Sequence, residues 1–553
     1  MYLLENVIEN IKTEIKSIIN NTQIENFDVE IPADENHGDL SSNVALLSAK
    51  YLKMSPRTIA ENIASKLNSK IKFVDKIEVA GPGFINFFLS KDFFSDSLRE
   101  IKSCGENYGK SKMGNGKKVM IEFVSANPTG PMHMGNARLG ALGDCLAEIL
   151  SACGYDTYKE FYVNDAGNQI EKFGMSLDVR YKQICLGESY VEMPENAYHG
   201  EDIKELAHEF FDIHKDKFIS SDEKTRVKAL VDFALPKNIK RMQDDMKKYK
   251  IIYDNWFYES DLHNQGKVKE IVDLLSSKGL TYEKDGSIWY KASMFGNEKD
   301  EVLIRSNGIP TYFAADIAYH YNKFADRKFD TCIDIWGADH HGHVERMKCS
   351  MEALGINRNR LHVILVQLVR LIKDGEPYRM SKRSGKSVQL SDLINEVGAD
   401  AARFIFNTHE ASSGMDFDLD LAISKDFQNP VYYVQYAYAR ICSIFKSVEK
   451  EKYSFSGENL NLLTHESEKK LIYYMSLYPS ELVRAAKNYD PTKITRFVIS
   501  LAGLFHKFYS SCKVISENKN LSEARLFLCD CVRTMIKNIL DMMKVESPEF
   551  MQQ

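Results

Sequence analysis

The chain has 553 residues, 44% of them hydrophobic and 27% charged, a length beyond one core and the balance of an ordinary globular protein, so three or four domains are expected. Its formal net charge of −6 excludes a uniformly basic nucleic-acid coat, although screening over about 10 Å leaves room for local basic surfaces. No apolar run is long enough to span a bilayer, Met1-Tyr2-Leu3-Leu4-Glu5-Asn6 lacks the pattern of a signal peptide, and the ten scattered cysteines form no Cys-x-x-Cys pair; a reduced, cytoplasmic protein without a membrane partner is expected.

In chain order, Leu4, Val7, Ile8, Ile11, Ile15, Ile18 and Ile19 predict an opening amphipathic helix, and Ser55-Pro56 starts a second one running to about Leu67. Residues 77–89 read as two strands around the Gly81-Pro82-Gly83 turn. A polar connector, 105–118, leads to the buried-strand pattern Lys118–Val124, a loop with Pro128 and Pro131, a long helix from about Gly135 stopped by Gly154, and a strand from Tyr158 to Val163. Strand–loop–helix–strand is the opening of a doubly wound α/β sheet. The charged, helical stretch at about 171–282 is expected to be an insertion, after which strand-like runs return at 331–336 and 362–366. From Asn429 the apolar period is that of helices throughout. These changes divide the chain into 1–112, 117–428 and 429–553.

Two stretches carry chemistry. In Glu122-Phe123-Val124-Ser125-Ala126-Asn127-Pro128-Thr129-Gly130-Pro131-Met132-His133-Met134-Gly135-Asn136 a strand ends, a rigid loop turns and a helix opens beside His133, where backbone N–H groups favour a phosphate. Gly135 permits close approach to the backbone, and His133 and Asn136 share a helical face. The second stretch ends in Arg379-Met380-Ser381-Lys382-Arg383-Ser384-Gly385-Lys386, with four cations in a short loop. It is not a P-loop, because Met380 occupies the position that motif reserves for glycine. Alone, the first reads better as a helix with a polar first turn and the second as a solvated basic loop.

Together, about 250 residues apart, the two resemble the paired signatures of class I aminoacyl-tRNA synthetases: His133-Met134-Gly135-Asn136 is similar to "HIGH", and Arg379-Met380-Ser381-Lys382-Arg383 to "KMSKS". The approach Glu122–Pro131, Asn164-Asp165-Ala166-Gly167-Asn168-Gln169, Gly337-Ala338-Asp339-His340-His341-Gly342, the run Asn429–Arg440 and Gly81–Asn86 resemble the arginyl-tRNA synthetase family. Asn136, Arg379 and Arg383 depart from the usual signatures; Asn136 keeps a hydrogen-bond donor without charge, and Arg379 keeps charge with another geometry.

The resemblance implies a Rossmann-type catalytic domain, an N-terminal α+β domain that meets the tRNA elbow, and an all-α C-terminal anticodon-binding domain. It implies ATP-dependent activation of L-arginine, with Mg²⁺ accompanying ATP, and transfer to the 2′-hydroxyl of the terminal adenosine of tRNA(Arg) by a monomeric enzyme. His133, Asn136 and Lys382 are the implied catalytic residues; Gly135, Gly337, Asp339, His340, Arg379, Met380 and Ser381 join them at ATP. Glu122, Asn127, Tyr312, Asp316 and Asp339 are the implied arginine contacts, carboxylates suiting a planar guanidinium. His340, His341 and His343 lie too close together in sequence to converge on one ion, and neither a protein-bound metal nor zinc is expected. The tyrosines 432, 433, 436 and 438 suit base stacking or core, and most are expected to be buried. Another class I synthetase, a small nucleotidyltransferase, or a catalytically silent tRNA-binding relative are the alternatives.

Overall fold

The computed structural model describes residues 1–551 except 21–23, 25, 33, 68–69, 379–387 and 452. Helix α1 (Leu3–Ile19) buries Leu4, Val7, Ile11 and Ile15, one stripe at helical spacing. It lies beside an antiparallel sheet ordered β1-β2-β4-β3, built from β1 (Val29–Glu30), β2 (Leu40–Ser42), β3 (Val74–Ala80) and β4 (Phe84–Leu89). Helices α2 (Val44–Leu52) and α3 (Pro56–Leu67) connect β2 to β3, and α4 (Lys91–Cys104) leads onward.

The centre is a five-stranded, all-parallel sheet ordered β12-β11-β5-β6-β7. Its first half is β5 (Lys118–Phe123), α5 (Met134–Ala152) and β6 (Asp156–Val163). Covered on both faces, β5 reads as a continuous apolar run, Val119-Met120-Ile121, broken by the buried Glu122. Helices α6 (Asn168–Leu186), α7 (Glu201–His214) and α8 (Glu223–Lys248) follow, around a small core of their own that includes Phe173, Tyr181, Leu206 and Phe210.

The stretch 171–282 is not insertion throughout. Strand β7 (Asn255–Tyr258) lies inside it and pairs in parallel with β6, Phe161 opposite Trp256 and Val163 opposite Tyr258. Four residues are too few for a strand period to stand out between charged helices. After β7 come α9 (Glu259–Asn264), α10 (Lys267–Ser277), an antiparallel sheet of β8 (Thr281–Lys284), β9 (Ser287–Tyr290) and β10 (Glu301–Ile304), and α11 (Tyr312–Tyr321), which ends in one π-helical turn, Asn322–Asp326. Then β11 (Thr331–Gly337), α12 (His341–Ala353) and β12 (Leu361–Val366) complete the central sheet.

A second small sheet, β14-β13-β15, joins β13 (Val369–Lys373), β14 (Glu376–Pro377) and β15 (Met415–Asp418), with α13 (Leu390–Val397), α14 (Ala399–Phe406) and α15 (Leu419–Ile423) around it. The C-terminal part is helical: α16 (Pro430–Val448), α17 (Glu466–Ser476), α18 (Tyr478–Asn488), α19 (Thr492–Ser511) and α20 (Lys519–Met542). Asn429 caps α16, its side chain accepting from Val431 N–H at 3.2 Å. Of the four tyrosines on α16, Tyr436 and Tyr438 are buried and Tyr432 and Tyr433 half-buried. Arg440 lies over the rings of Tyr436 and Tyr509, at 4.8 and 5.0 Å.

One buried arginine ties these parts together. Arg403 on α14 donates to Asp144 Oδ2 on α5 at 2.5 Å, to the Met543 carbonyl just past α20 at 2.8 Å, and to the Tyr249 carbonyl just past α8 at 3.1 Å.

Candidate active site

A cleft of about 1140 Å³ opens at the carboxyl ends of β5, β6, β7 and β11, where ligands of parallel α/β sheets gather. Glu122, Asn127, His133, Asn136, Tyr312, Asp316, Gly337, Asp339 and His340 all line it, so residues up to 218 positions apart in sequence meet in one place. Gly135 sits in the first turn of α5 without lining the cleft: a Cβ there would come within 2.8 Å of the His133 ring. Gly337 is bound in the same way, since its Cβ would meet Asp339 Oδ1 at 2.5 Å. Arg379, Met380, Ser381, Lys382, Arg383 and Lys386 lie outside the described residues.

At the end of β5 the chain turns through two left-handed residues, Val124 (φ 72°) and Ser125 (φ 39°). For β-branched Val124 that backbone is strained, and strain of this kind persists where the surroundings fix it. Ser125 is fixed: its hydroxyl donates to Glu122 Oε1 at 2.8 Å and accepts from Tyr162 N–H at 3.1 Å, joining β5 to β6. The sharp turn brings Asn127 back over the cleft.

His133 is the N-cap of α5. Its Nδ1 accepts from Gly135 N–H at 3.0 Å, and burial lowers its pKa, so the ring is neutral with its proton on Nε2. Asn136 closes a capping box, Oδ1 accepting from His133 N–H at 2.9 Å. The substitution at this signature position therefore has a physical account: one end of the amide caps the helix, and the other remains a neutral donor at the cleft. A helix N-terminus carrying two neutral donors suits an anionic phosphate chain.

Opposite lies an acidic lobe. Asp316, in the second turn of α11, pairs through Oδ2 with His343 Nε2 at 3.0 Å, and the Tyr312 hydroxyl accepts from Gln169 N–H at 3.3 Å. Glu259, the first residue after β7, is a lining residue that sequence reasoning missed. It is 3% exposed, and burial, together with the charges of Asp316 and Asp165, raises its pKa to about 7. Its signal was positional, a carboxylate at the end of a sheet strand, concealed because that strand fell within the presumed insertion.

Below the cleft, strand register sets three buried carboxylates in a row. Glu122 stands opposite Glu160 on β6 and opposite Asp334 on β11. Arg327 and the Tyr319 hydroxyl satisfy Glu160, while Lys323 Nζ bridges Glu122 Oε2 at 2.6 Å and Asp334 Oδ1 at 2.8 Å. His320 Nε2 lies 2.7 Å from Asp334 Oδ2. Burial pushes Glu122 up despite Lys323; Asp334 is buried too, yet Lys323 and His320 hold it down at about 2.

The chain leaving the second signature also reaches the cleft, which Gln389, Ser391 and Asp392 line. Met134 N–H donates to the Val388 carbonyl and Leu390 N–H to the Met132 carbonyl, both at 2.9 Å, so the chain leaving the signature pairs with the first one. Arg138 on α5 anchors the small sheet β14-β13-β15. Its guanidinium donates to the carbonyls of Gln367, Glu410 and Ser413 at 2.8 to 2.9 Å, at the root of β13 and β15. Among the described residues, no group of three or more His, Cys, Asp or Glu is placed to hold a metal ion.

Residues 98–418 match the family described as tRNA synthetases class I (R), catalytic domain; 5–89 match the arginyl tRNA synthetase N terminal domain, and 434–551 the DALR anticodon binding domain. The chain belongs to the arginyl-tRNA synthetase family. It is 51% identical over 564 aligned positions to an arginine–tRNA ligase of Caldanaerobacter subterraneus subsp. tengcongensis, covering 99% of this chain and 100% of that one. A Ruminiclostridium cellulolyticum arginine–tRNA ligase is 51% identical over 96% of this chain and 94% of its own length. The arginyl-tRNA synthetase of Thermus thermophilus shares the fold, with a TM-score of 0.76, 20% identity, and coverage of 98% of this chain and 100% of that one. Among the described residues no helix is long and apolar enough to cross a membrane.

Proposed function

We propose that this protein is an arginine–tRNA ligase: it activates L-arginine with ATP to arginyl-adenylate and transfers the arginyl group to the 2′-hydroxyl of the terminal adenosine of tRNA(Arg), releasing pyrophosphate and AMP. The observation that carries this reading is the two-sided cleft, with neutral donors at a helix N-terminus on one side and buried carboxylates on the other. Full-length identity to arginine–tRNA ligases favours arginine over the amino acids of other class I enzymes.

The chemistry follows from the two sides. His133 Nε2–H and the Asn136 amide meet the triphosphate, and Gly337, Asp339 and His340 line the nucleotide end. Lys382, with Arg379, Met380 and Ser381 beside it, neutralises the leaving pyrophosphate, and Mg²⁺ travels with ATP. Asp316 and Glu259 present carboxylates to the guanidinium beside Tyr312, a geometry that charge-assisted pairs reward. Glu122 and Asn127 take the α-ammonium end, leaving the substrate carboxylate directed at the α-phosphorus. The protein's contribution is positioning and electrostatic stabilisation, as phosphoryl transfer requires.

The test supplies ATP, tRNA and each amino acid in turn and measures charged tRNA. Attachment of another amino acid in preference to arginine would overturn the assignment. Lys382→Ala should slow activation far more than it weakens tRNA binding, and equal loss of both would count against its leaving-group role. We further propose a cytoplasmic monomer; sedimentation of the purified protein checks the oligomeric state, and fractionation of cells the location.

A further inference from the structure

The row of carboxylates under the cleft poses an energetic question. Lys323 has no exposed surface, and it bridges two carboxylates that are themselves buried. Burying such ions is costly, and an apolar side chain of similar volume serves stability equally well or better. Packing alone therefore does not account for a cation here. What distinguishes the three carboxylates is access: Glu122 lines the cleft, whereas Glu160 and Asp334 do not.

The hydrogen bonds explain what the cation does for Glu122. Ser125 donates to Oε1 and Lys323 to Oε2, so both oxygens are fixed and each retains a lone pair. Without a cation beside it, a carboxylate at this depth would take up a proton and lose its attraction for an ammonium group. Lys323 is in turn fixed by Asp334 and by the face of the Tyr319 ring, 4.3 Å from Nζ. His320 closes the assembly from α11, with Nδ1 2.8 Å from the Asp316 carbonyl and Nε2 on Asp334. The helix that carries Asp316 and the strand that carries Glu122 are thereby held to one another, with Lys323 as the bridge. The π-helical turn matters here, because it places Lys323 next to the end of α11.

We propose that Lys323 is a positioning residue for amino-acid recognition, keeping Glu122 ionised and aimed so that the site reads the α-ammonium group of its substrate. This rests on the assignment of Glu122 to that group given above. Lys323 touches no substrate itself.

The experiment compares arginine with two analogues as inhibitors of charging: desamino-arginine, which lacks only the α-ammonium, and citrulline, which lacks only the guanidinium charge. The wild-type enzyme should reject desamino-arginine by about tenfold or more, the worth of one charge-assisted hydrogen bond. Lys323→Met should bring that ratio close to one while leaving the rejection of citrulline within about twofold. Glu122→Gln should behave in the same way. If Glu122→Gln loses the discrimination and Lys323→Met keeps it, the proposal for Lys323 is wrong and the reading of Glu122 stands. If Glu122→Gln keeps it, the assignment of Glu122 is wrong and the proposal goes with it. Loss of both ratios in Lys323→Met would mean general distortion of the cleft and would also overturn the proposal. Should Lys323→Met not fold, Lys323→Gln removes the charge while keeping a hydrogen-bonding side chain, and the same outcomes decide.

Discussion

Glu259 makes arginine binding a proton-linked event with a calculable size. With a pKa of about 7, its carboxyl is ionised in about one half of free molecules at pH 7, about nine-tenths at pH 8 and about one-tenth at pH 6. Only the ionised form pairs with a guanidinium, and apparent affinity scales with the competent fraction. The dissociation constant for arginine should therefore rise about tenfold from pH 8 to pH 6, with uptake of arginine at pH 6 releasing about one proton. Calorimetry at each pH, in buffers of different ionisation enthalpy, reads both quantities. Glu259→Gln should weaken binding between about tenfold and about a hundredfold at pH 8 and flatten the pH dependence. Asp316→Asn should move the inflection below 7, because the charge of Asp316 ranks next after burial among the causes that raise Glu259. A wild-type dissociation constant that stays constant from pH 6 to pH 8, or a pH dependence that survives in Glu259→Gln, would refute the reasoning.

Other substitutions test the remaining geometry. His133→Ala should slow adenylate formation by about a hundredfold with little change in arginine affinity, as loss of one preorganised donor does; quenched-flow rates beside calorimetry would separate the two. Asn136→Asp should keep the helix cap while losing the amide donor, so Tm stays and the rate falls, whereas Asn136→Ala should also lose about 1 kcal/mol of stability in urea. Arg403→Met should destabilise the protein in denaturant titration, though by less than the roughly 3–5 kcal/mol of a wholly uncompensated buried charge, because Lys159 still pairs with Asp144 at 2.9 Å. Asp334 is held near 2 in the folded protein, below its ordinary 3.8, so its contribution is complete above about pH 4 and is lost as pH falls through 2. Stability-versus-pH curves of the wild type and of Asp334→Asn should differ in slope in that window and run parallel above it, offset by the lost contribution.

The features visible in sequence are those with long periods or rare residue combinations. The α5 helix, β5 and β6 announce themselves through apolar patterns that burial on both faces requires, and the glycine and proline punctuation around His133 fixes where the helix opens. The cleft residues were legible only through resemblance, since nothing in Tyr312 or Asp316 alone distinguishes a pocket from a helix surface. Glu259 escaped because β7 has four residues. Lys323 escaped for another reason. A lysine following Asn322 looks like any solvated cation, and only strand register shows that three carboxylates stand side by side beneath it. Such a row is a property of pairing between strands far apart in the chain, and no local pattern encodes it.

Arg403 also sets an order of assembly. Its guanidinium needs a carboxylate from α5, a carbonyl after α8 and a carbonyl at Met543, after α20. During synthesis from the N-terminus, the first two are available long before the third. Until α20 has emerged and docked, the interior of the catalytic part holds an arginine with an unmet hydrogen-bonding group, a condition that folded interiors rarely tolerate. The catalytic part is therefore completed by docking only after α20 has been made, a step that takes milliseconds to minutes in other proteins. Newly made chains pass through an interval in which the residues of the cleft are present but not yet locked in place.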